Sequence, residues 1–355
     1  MSRKQDLLEE AKRYLQEEVA PKANEIDASV EALRHALNGL CERKLMALRR
    51  PEAFGGPAFT DAEFREFQEE VARYSGSLAF LQTQHQSAVN MISKGDNHDF
   101  KCKWLPKMAN GEALIGIGFS QLRRPGPPLT TALRCEGGYL VNGKVPWVTG
   151  KSLFHSFLIA GEDEDGRAIF GLMPLKTMER GKGRIEISEA MELAAMNSPQ
   201  TVSAEVHDWF LKDEEVPFIK PPGWIKENDT INVTMQGFFA IGCARAALDV
   251  LDKAYAKREA GFIKETRDKL QKEIDECRER LKQGPDLEPE ERYKTRAWSI
   301  ELCGRAAHAA VAASSGAANA TFHPAQRIYR ESLVYTVSAQ TEDIMRTTLA
   351  RLACG

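Results

Sequence analysis

The chain has 355 residues, 43% of them apolar and 28% charged, with a formal net charge of −3. That length favours two or three packed lobes over one simple core; the charge leaves no basic footprint for nucleic acid, and no run of about 18 apolar residues offers a membrane span. Seven cysteines stand singly at 41, 102, 135, 243, 277, 303 and 354 with no Cys-x-x-Cys pair, which argues against a zinc or other metal site and a disulfide framework, and for reduced thiols in a cytoplasmic setting.

The first hundred residues read as helical, and the opening Met1-Ser2-Arg3-Lys4-Gln5-Asp6 lacks the apolar core of a secretory signal. Leu7, Leu8, Ala11, Leu15 and Val19 recur at helical spacing until Pro21 ends the run. Further helices are expected over 29–48, 61–74 and 77–94, with Pro51–Gly56 as a break. The 77–94 helix is largely apolar yet carries Gln82, Gln84 and His85, so it is expected to be buried.

From Ala113 to about Ile219 the pattern changes to short apolar runs split by Gly, Asp, Glu and Pro. Runs of this length at close spacing favour an antiparallel barrel or sandwich. Within it, Asn142-Gly143 sits between two strand-forming runs, and Asn-Gly is the residue pair a type I′ hairpin turn prefers. After Pro221-Pro222-Gly223 the chain turns helical again. Ala240–Tyr255 has an apolar stripe, Leu270, Ile274, Cys277 and Leu281 form one seam, and Trp298–Ala313 is rich in small residues. The last helices fall at 325–337 and 341–352. The boundaries expected are a helical domain over 1–112, a β domain over 113–222 and a helical domain over 223–355.

Several segments, in this order, resemble the acyl-CoA dehydrogenase superfamily. They are Glu18–Asp27, Pro51-Glu52-Ala53-Phe54-Gly55-Gly56, Leu105-Pro106 with Gly111-Glu112, Thr130-x-Ala132, the Asn142-Gly143 segment running to Trp147-Val148-Thr149, and Thr201–Asp208. The resemblance implies a mainly helical protein with a central antiparallel β-barrel, and FAD or another flavin as cofactor. It gives the flavin-binding positions as Ile117, Phe119 and Ser120 on one strand and Trp147, Val148 and Thr149 on another. Thr149 would offer its hydroxyl to the flavin and Trp147 would cover one ring face. His85 and Gln121 fall at substrate-pocket positions. Implied partners are a small-molecule substrate such as an acyl-CoA, an electron-transfer or flavin-reductase protein, and further copies of the chain in a homodimer or homotetramer. The faces expected to join those copies are Ala306–Ala313 and the Leu270–Leu281 seam.

The departures concern the chemistry. Dehydrogenation needs a carboxylate to take the α-proton of the substrate. In Ser338-Ala339-Gln340-Thr341-Glu342-Asp343 the family's base position falls on Ala339 and its glycine on Gln340. The alternative position, on the first C-terminal helix, falls near Asn232. Glu342 and Asp343 are the neighbouring acids that would substitute, although the first turn of a helix is itself a favourable place for acids. The loop after Ser120 carries Arg123-Arg124-Pro125-Gly126 where the family has a Gly-Ser pair for the flavin diphosphate, which implies a weak grip on FAD. His323-Pro324-Ala325-Gln326-Arg327 resembles the branch that uses reduced flavin and oxygen to hydroxylate. The leading expectation is a flavin-dependent oxidoreductase in which ordinary acyl-CoA dehydrogenation is in doubt. The alternatives are a reduced-flavin, oxygen-dependent monooxygenase and a non-catalytic scaffold.

Overall fold

The computed structural model describes residues 3–353. Met1, Ser2, Cys354 and Gly355 lie outside them, and with them the expectations for the two ends and for the Cys354 thiol.

Six helices come first: α1 (Arg3–Tyr14), α2 (Ala23–Ala28), α3 (Val30–Glu42), α4 (Asp61–Tyr74), α5 (Gly76–Ser93) and α6 (His98–Trp104). Pro21 does not end the first run in coil. The chain passes through a π turn at Leu15–Val19 and a 3₁₀ turn at Ala20–Lys22 into α2, because proline is tolerated in the first turn of a new helical segment. The start of α4 is fixed by a capping box. The Thr60 hydroxyl accepts from the Glu63 N–H at 3.3 Å, and the Glu63 carboxylate accepts from the Thr60 N–H at 2.7 Å.

The strands follow: β1 (Ile115–Gly118), β2 (Thr130–Cys135), β3 (Gly138–Thr149), β4 (Ser156–Glu162), β5 (Ala168–Pro174), β6 (Met178–Arg180), β7 (Gly183–Ile187), β8 (Thr201–Lys212) and β9 (Phe218–Lys220). They form one sheet in the order β6-β7-β8-β3-β2-β4-β5-β9, with β1 alongside β4. The pairing is antiparallel except for β1 with β4 and a single parallel pair between β2 and β4, Thr131 with Glu162.

The expected Asn-Gly turn is not where the chain reverses. The β2–β3 turn is Glu136-Gly137, closed by the pair Cys135–Gly138, and Gly137 takes the positive φ of 76°. Asn142-Gly143 lies inside β3 at a register shift against β8. Gly143, at φ 126°, brings the backbone close to β2's start; a Cβ there would lie 2.0 Å from the Leu129 carbonyl oxygen. Asn142 fixes the same irregularity from the other side. Its Oδ1 accepts from the Asp208 N–H at 2.8 Å, and Asp208 itself has φ 46°. The tolerance of Asn-Gly for unusual φ is used here for a bulge rather than a turn.

Six more helices follow among the described residues: α7 (Trp224–Asn232), α8 (Gly237–Arg258), α9 (Gly261–Lys282), α10 (Pro289–Ser314), α11 (Pro324–Val337) and α12 (Glu342–Ala353). The seam of α9 is closed within the subunit, with Leu270, Ile274, Cys277 and Leu281 all buried. Ala306, Ala307 and Ala310 of α10 are buried in the same core. Both faces expected to join copies are therefore used internally. Apolar side chains are left open on α11 and α12, and singly elsewhere, as at Ile231, Phe262 and Phe322.

Candidate functional site

A cavity of about 700 Å³ lies where the two helical regions meet the sheet. Its sheet wall comes from Ile117, Phe119, Ser120, Trp147, Thr149 and Thr201. The strand period of two explains the choice on β3: Trp147 and Thr149 share one face and Val148 takes the other. Val148 is accordingly fully buried in the core and does not line the cavity. Its side chain corrects the expected flavin contact at that position. Trp147 is 47% exposed and stands open beside the cavity. The Thr149 hydroxyl meets that of Thr201 at 3.0 Å. The Ser120 hydroxyl is buried with no hydrogen-bond partner.

The α5 wall is a helical stripe of Phe80, Thr83, Gln84, Ser87 and Met91. His85 lies off this stripe and does not line the cavity. Its Nδ1 accepts from the Ile115 N–H at 2.9 Å, which leaves Nε2–H to donate to the Met108 carbonyl at 2.8 Å. Burial pushes the imidazole down to about 4, so it is a neutral tie between α5, β1 and the turn after α6. Gln121 is likewise structural. Its amide donates to the Ala160 and Gly118 carbonyls at 2.8 and 3.3 Å, turned away from the cavity. Neither residue is placed as a substrate-pocket group.

The third wall comes from α7, the start of α8 and the α11–α12 junction. Ser338, Ala339 and Gln340 all line the cavity there. The left-handed residue is Ala339, at φ 51°, rather than Gln340, where the motif's glycine was expected. A register one residue earlier would put Ser338 at the base position. Either way the position holds no acid. Glu342 and Asp343 do not reach the cavity. The Glu342 side chain is 87% exposed and, with Asp343, pairs with Arg346 on the surface of α12. Asn232 lines the cavity with its amide turned back to the Asn228 carbonyl at 2.8 Å.

Two features escaped the sequence reading. Asp229 is the one carboxylate among the described lining residues. It is held by Arg123 through two bonds of 2.7 Å, which tie the turn after β1 to α7. This pair occupies Arg123; Arg124, in the loop expected to meet a diphosphate, has no ion pair among the described residues. The second is Arg65, which lines the cavity from α4. It is buried on α4 beside Phe64 and Phe67, and also beside Gln68 and Glu69, so no single charge stood out in the sequence.

The sheet wall fits an isoalloxazine ring. It offers an exposed indole, the apolar sides of Ile117 and Phe119, an unpartnered buried hydroxyl at Ser120 and a hydroxyl pair at Thr149 and Thr201. Among the described residues no group of three or more His, Cys, Asp or Glu side chains is placed to hold a metal ion, and no helix is long and apolar enough to cross a membrane.

A helical bundle on each side of a largely antiparallel sheet, with a cavity among the three, defines the class. The sequence model for the acyl-CoA dehydrogenase N-terminal domain matches residues 2–112. The chain is 27% identical over 177 residues to the mitochondrial isovaleryl-CoA dehydrogenase of Pongo abelii, an alignment covering 48% of this chain and 40% of that protein. It is 22% identical over 385 residues to the Bacillus subtilis (strain 168) protein named “Probable acyl-CoA dehydrogenase YngJ”, covering 99% of this chain and 98% of that one. In fold it is similar to a Bacillus anthracis acyl-CoA dehydrogenase complexed with FAD, with a TM-score of 0.80 at 17% identity, covering 100% of this chain and 68% of the other. The chain thus carries an acyl-CoA dehydrogenase N-terminal domain over residues 2–112 and is similar in fold to acyl-CoA dehydrogenases over its whole length.

Proposed function

We propose that the protein is a flavin-dependent oxidoreductase whose substrate enters the cavity between the sheet and the two helical bundles. The observation that carries this reading is the sheet wall itself. Trp147 presents a flat apolar face, Ile117 and Phe119 extend it, and the Ser120 and Thr149 hydroxyls stand where a polar ring edge would be satisfied. These residues would hold FAD or another flavin, which supplies hydride or electron transfer when bound. A substrate of the acyl-thioester class suits the family relationship, with an electron-transfer or reductase protein to complete the redox cycle.

The opposite wall limits the reaction. Ser338 and Ala339 face the cavity without a carboxylate, and Asp229 is engaged by Arg123. An α-proton therefore has no free carboxylate base among the described lining residues. This favours a second reading, in which reduced flavin and oxygen act on the substrate and no such base is required. Titration of the purified protein with oxidised and reduced FAD and FMN, followed by flavin absorbance and fluorescence, tests the shared core of both readings. Trp147→Ala, in a variant that remains folded, should weaken flavin binding by more than about 1 kcal/mol through loss of a packed aromatic. A protein that binds no flavin in either oxidation state, or a Trp147→Ala variant with unchanged affinity, contradicts the proposal.

A further inference from the structure

The helical end of the cavity holds a cation without a counter-ion. Arg65 is 7% exposed and lines the cavity from α4. Its Nε contacts the Met235 sulfur at 3.0 Å, and its Nη1 reaches the Lys282 carbonyl at 3.4 Å. The guanidinium lies 5.7 Å from the centre of the Phe238 ring. Its Nη2 donates to no group among the described residues, and no carboxylate among them pairs with it. Asp61 is the nearest acid with an influence on it, and that carboxylate is tied to Arg49 and largely exposed.

Two other buried arginines also lack an acid, so the absence alone decides nothing. Arg50 spends its nitrogens on the Leu105, Pro106 and Gly55 carbonyls at 2.9, 3.1 and 2.9 Å. Arg296 donates to the Gln236 and Tyr335 carbonyls at 2.9 and 2.7 Å. Both are locked by short bonds, and neither lines the cavity. Arg65 has one thioether contact and one long bond, and its open edge belongs to the cavity. A buried cation left this way is costly unless a ligand completes it. Burial holds its guanidinium below the usual range, only partly offset by Asp61.

The surroundings agree. Arg49 lines the same wall, but its charge is paired with Asp61, so Arg65 is the cation left without a carboxylate there among the described residues. One turn along α4, Gln68 donates to the Thr83 hydroxyl at 2.9 Å. Gln84 and Gln236 also face the cavity. A plain alkyl chain would desolvate these polar groups without bonding them.

We infer that Arg65 receives an anionic end of the substrate, and that the substrate is an acyl group ending in a carboxylate. The free Nη edge of a guanidinium is a planar fork whose two parallel N–H groups match the two oxygens of a carboxylate. Arg49, paired with Asp61, does not compete for the ligand. This inference rests on the proposed function, in that the cavity is taken as the substrate site.

The test separates the two. Calorimetric titration of the full chain, without added flavin, compares glutaramate with glutaramide, which differ by one carboxylate. Glutaramate should bind at least about tenfold more tightly, as a charge-assisted bidentate contact requires. Arg65→Gln should bring the two probes within about twofold, and Arg65→Lys, which keeps the charge but not the fork, should fall between. Arg65→Met should melt about as the parent protein does, because it removes a buried cation that has no carboxylate partner and loses only one long hydrogen bond and a thioether contact. Equal affinities in the parent protein, or binding of neither probe, overturn the inference. So does a preference for glutaramate that survives in Arg65→Gln, with both variants melting lower, since that marks Arg65 as structural. A flavin titration of the same preparation is an independent readout: its failure removes the redox reading and leaves the carboxylate preference to stand or fall by itself.

Discussion

At the scale of single residues, the site divides into groups that face the cavity and groups that only appear chemical. His85 is of the second kind. Its imidazole is held neutral to about pH 4 by burial, whereas the same group titrates near 6.5 in an unfolded chain. Between those values the unfolded state binds a proton that the folded state refuses. Stability should therefore be full above pH 6.5 and fall as the pH drops to about 4, by about 3 kcal/mol for this residue alone. Denaturant melts at pH 7 and pH 4.5 would show that loss, and His85→Gln, which cannot titrate, should show a flatter profile. An unchanged profile would mean that other groups dominate acid sensitivity. Ala339 is of the first kind. If the family chemistry lacks only its base, Ala339→Glu or Ser338→Glu should raise dehydrogenation of an acyl-CoA from a very low level, since a positioned base contributes about 10²–10⁴-fold. The readout is reduction of an artificial electron acceptor in flavin-loaded protein. Robust activity in the unmodified chain would mean that another acid serves, with Asp229 the first to test.

At the scale of elements, the sequence was most legible where hydrophobic period and end signals coincide. α4 and α5 fall within a residue of the expected spans because Thr60 and Ser75 cap their starts. β5 ends at Pro174, which closes its apolar run. The turn lies elsewhere than Asn-Gly predicts because that pair signals a tolerance for unusual φ, and the tolerance serves a bulge as well as a turn. Gly143 shows the difference. A Cβ there would meet the Leu129 carbonyl at 2.0 Å and the Thr130 Cα at 2.7 Å, at a φ of 126°. Gly143→Ala should cost about 3 kcal/mol or more, because backbone rather than a movable side chain is in the way. Its counterpart at the true turn, Gly137→Ala, has only the Phe210 ring within 4 Å and should cost less, through φ strain alone. Thermal melts of the two variants would rank them, and the opposite order would contradict the observed register. The site was less legible for a related reason. Strand alternation around Trp147 and Thr149 can be read from sequence. The ion pair of Arg123 with Asp229, 106 residues away, and the position of Arg65 at a cavity wall depend on how distant helices pack.

At the scale of the whole molecule, the faces expected to join copies of the chain are spent inside it, and a different surface remains open. On α11, Tyr329, Leu333 and Val337 are exposed at intervals of four; on α12, Met345, Leu349 and Leu352 are exposed at four and three. Each helix packs its other side against α10, so each presents a second apolar stripe outward. Other exposed apolar side chains, such as Phe262 and Phe322, stand singly, whereas two aligned stripes of this kind mark an interaction site. The α11 stripe also continues into the cavity, since Leu333 and Val337 contribute to its lining. A second copy of this chain is the expected occupant, covering the α11 and α12 stripes and closing that side of the cavity. Light scattering at micromolar concentration should then give a mass at or above twice 39.6 kDa. Leu333→Glu combined with Leu349→Glu should shift it to the monomer while leaving the fold intact, because both side chains are more than half exposed in the single chain. The same double variant should bind flavin more weakly if the second copy helps to enclose the cavity. A strict 39.6 kDa species for the unmodified protein would exclude the dimer and leave the stripes for a different partner.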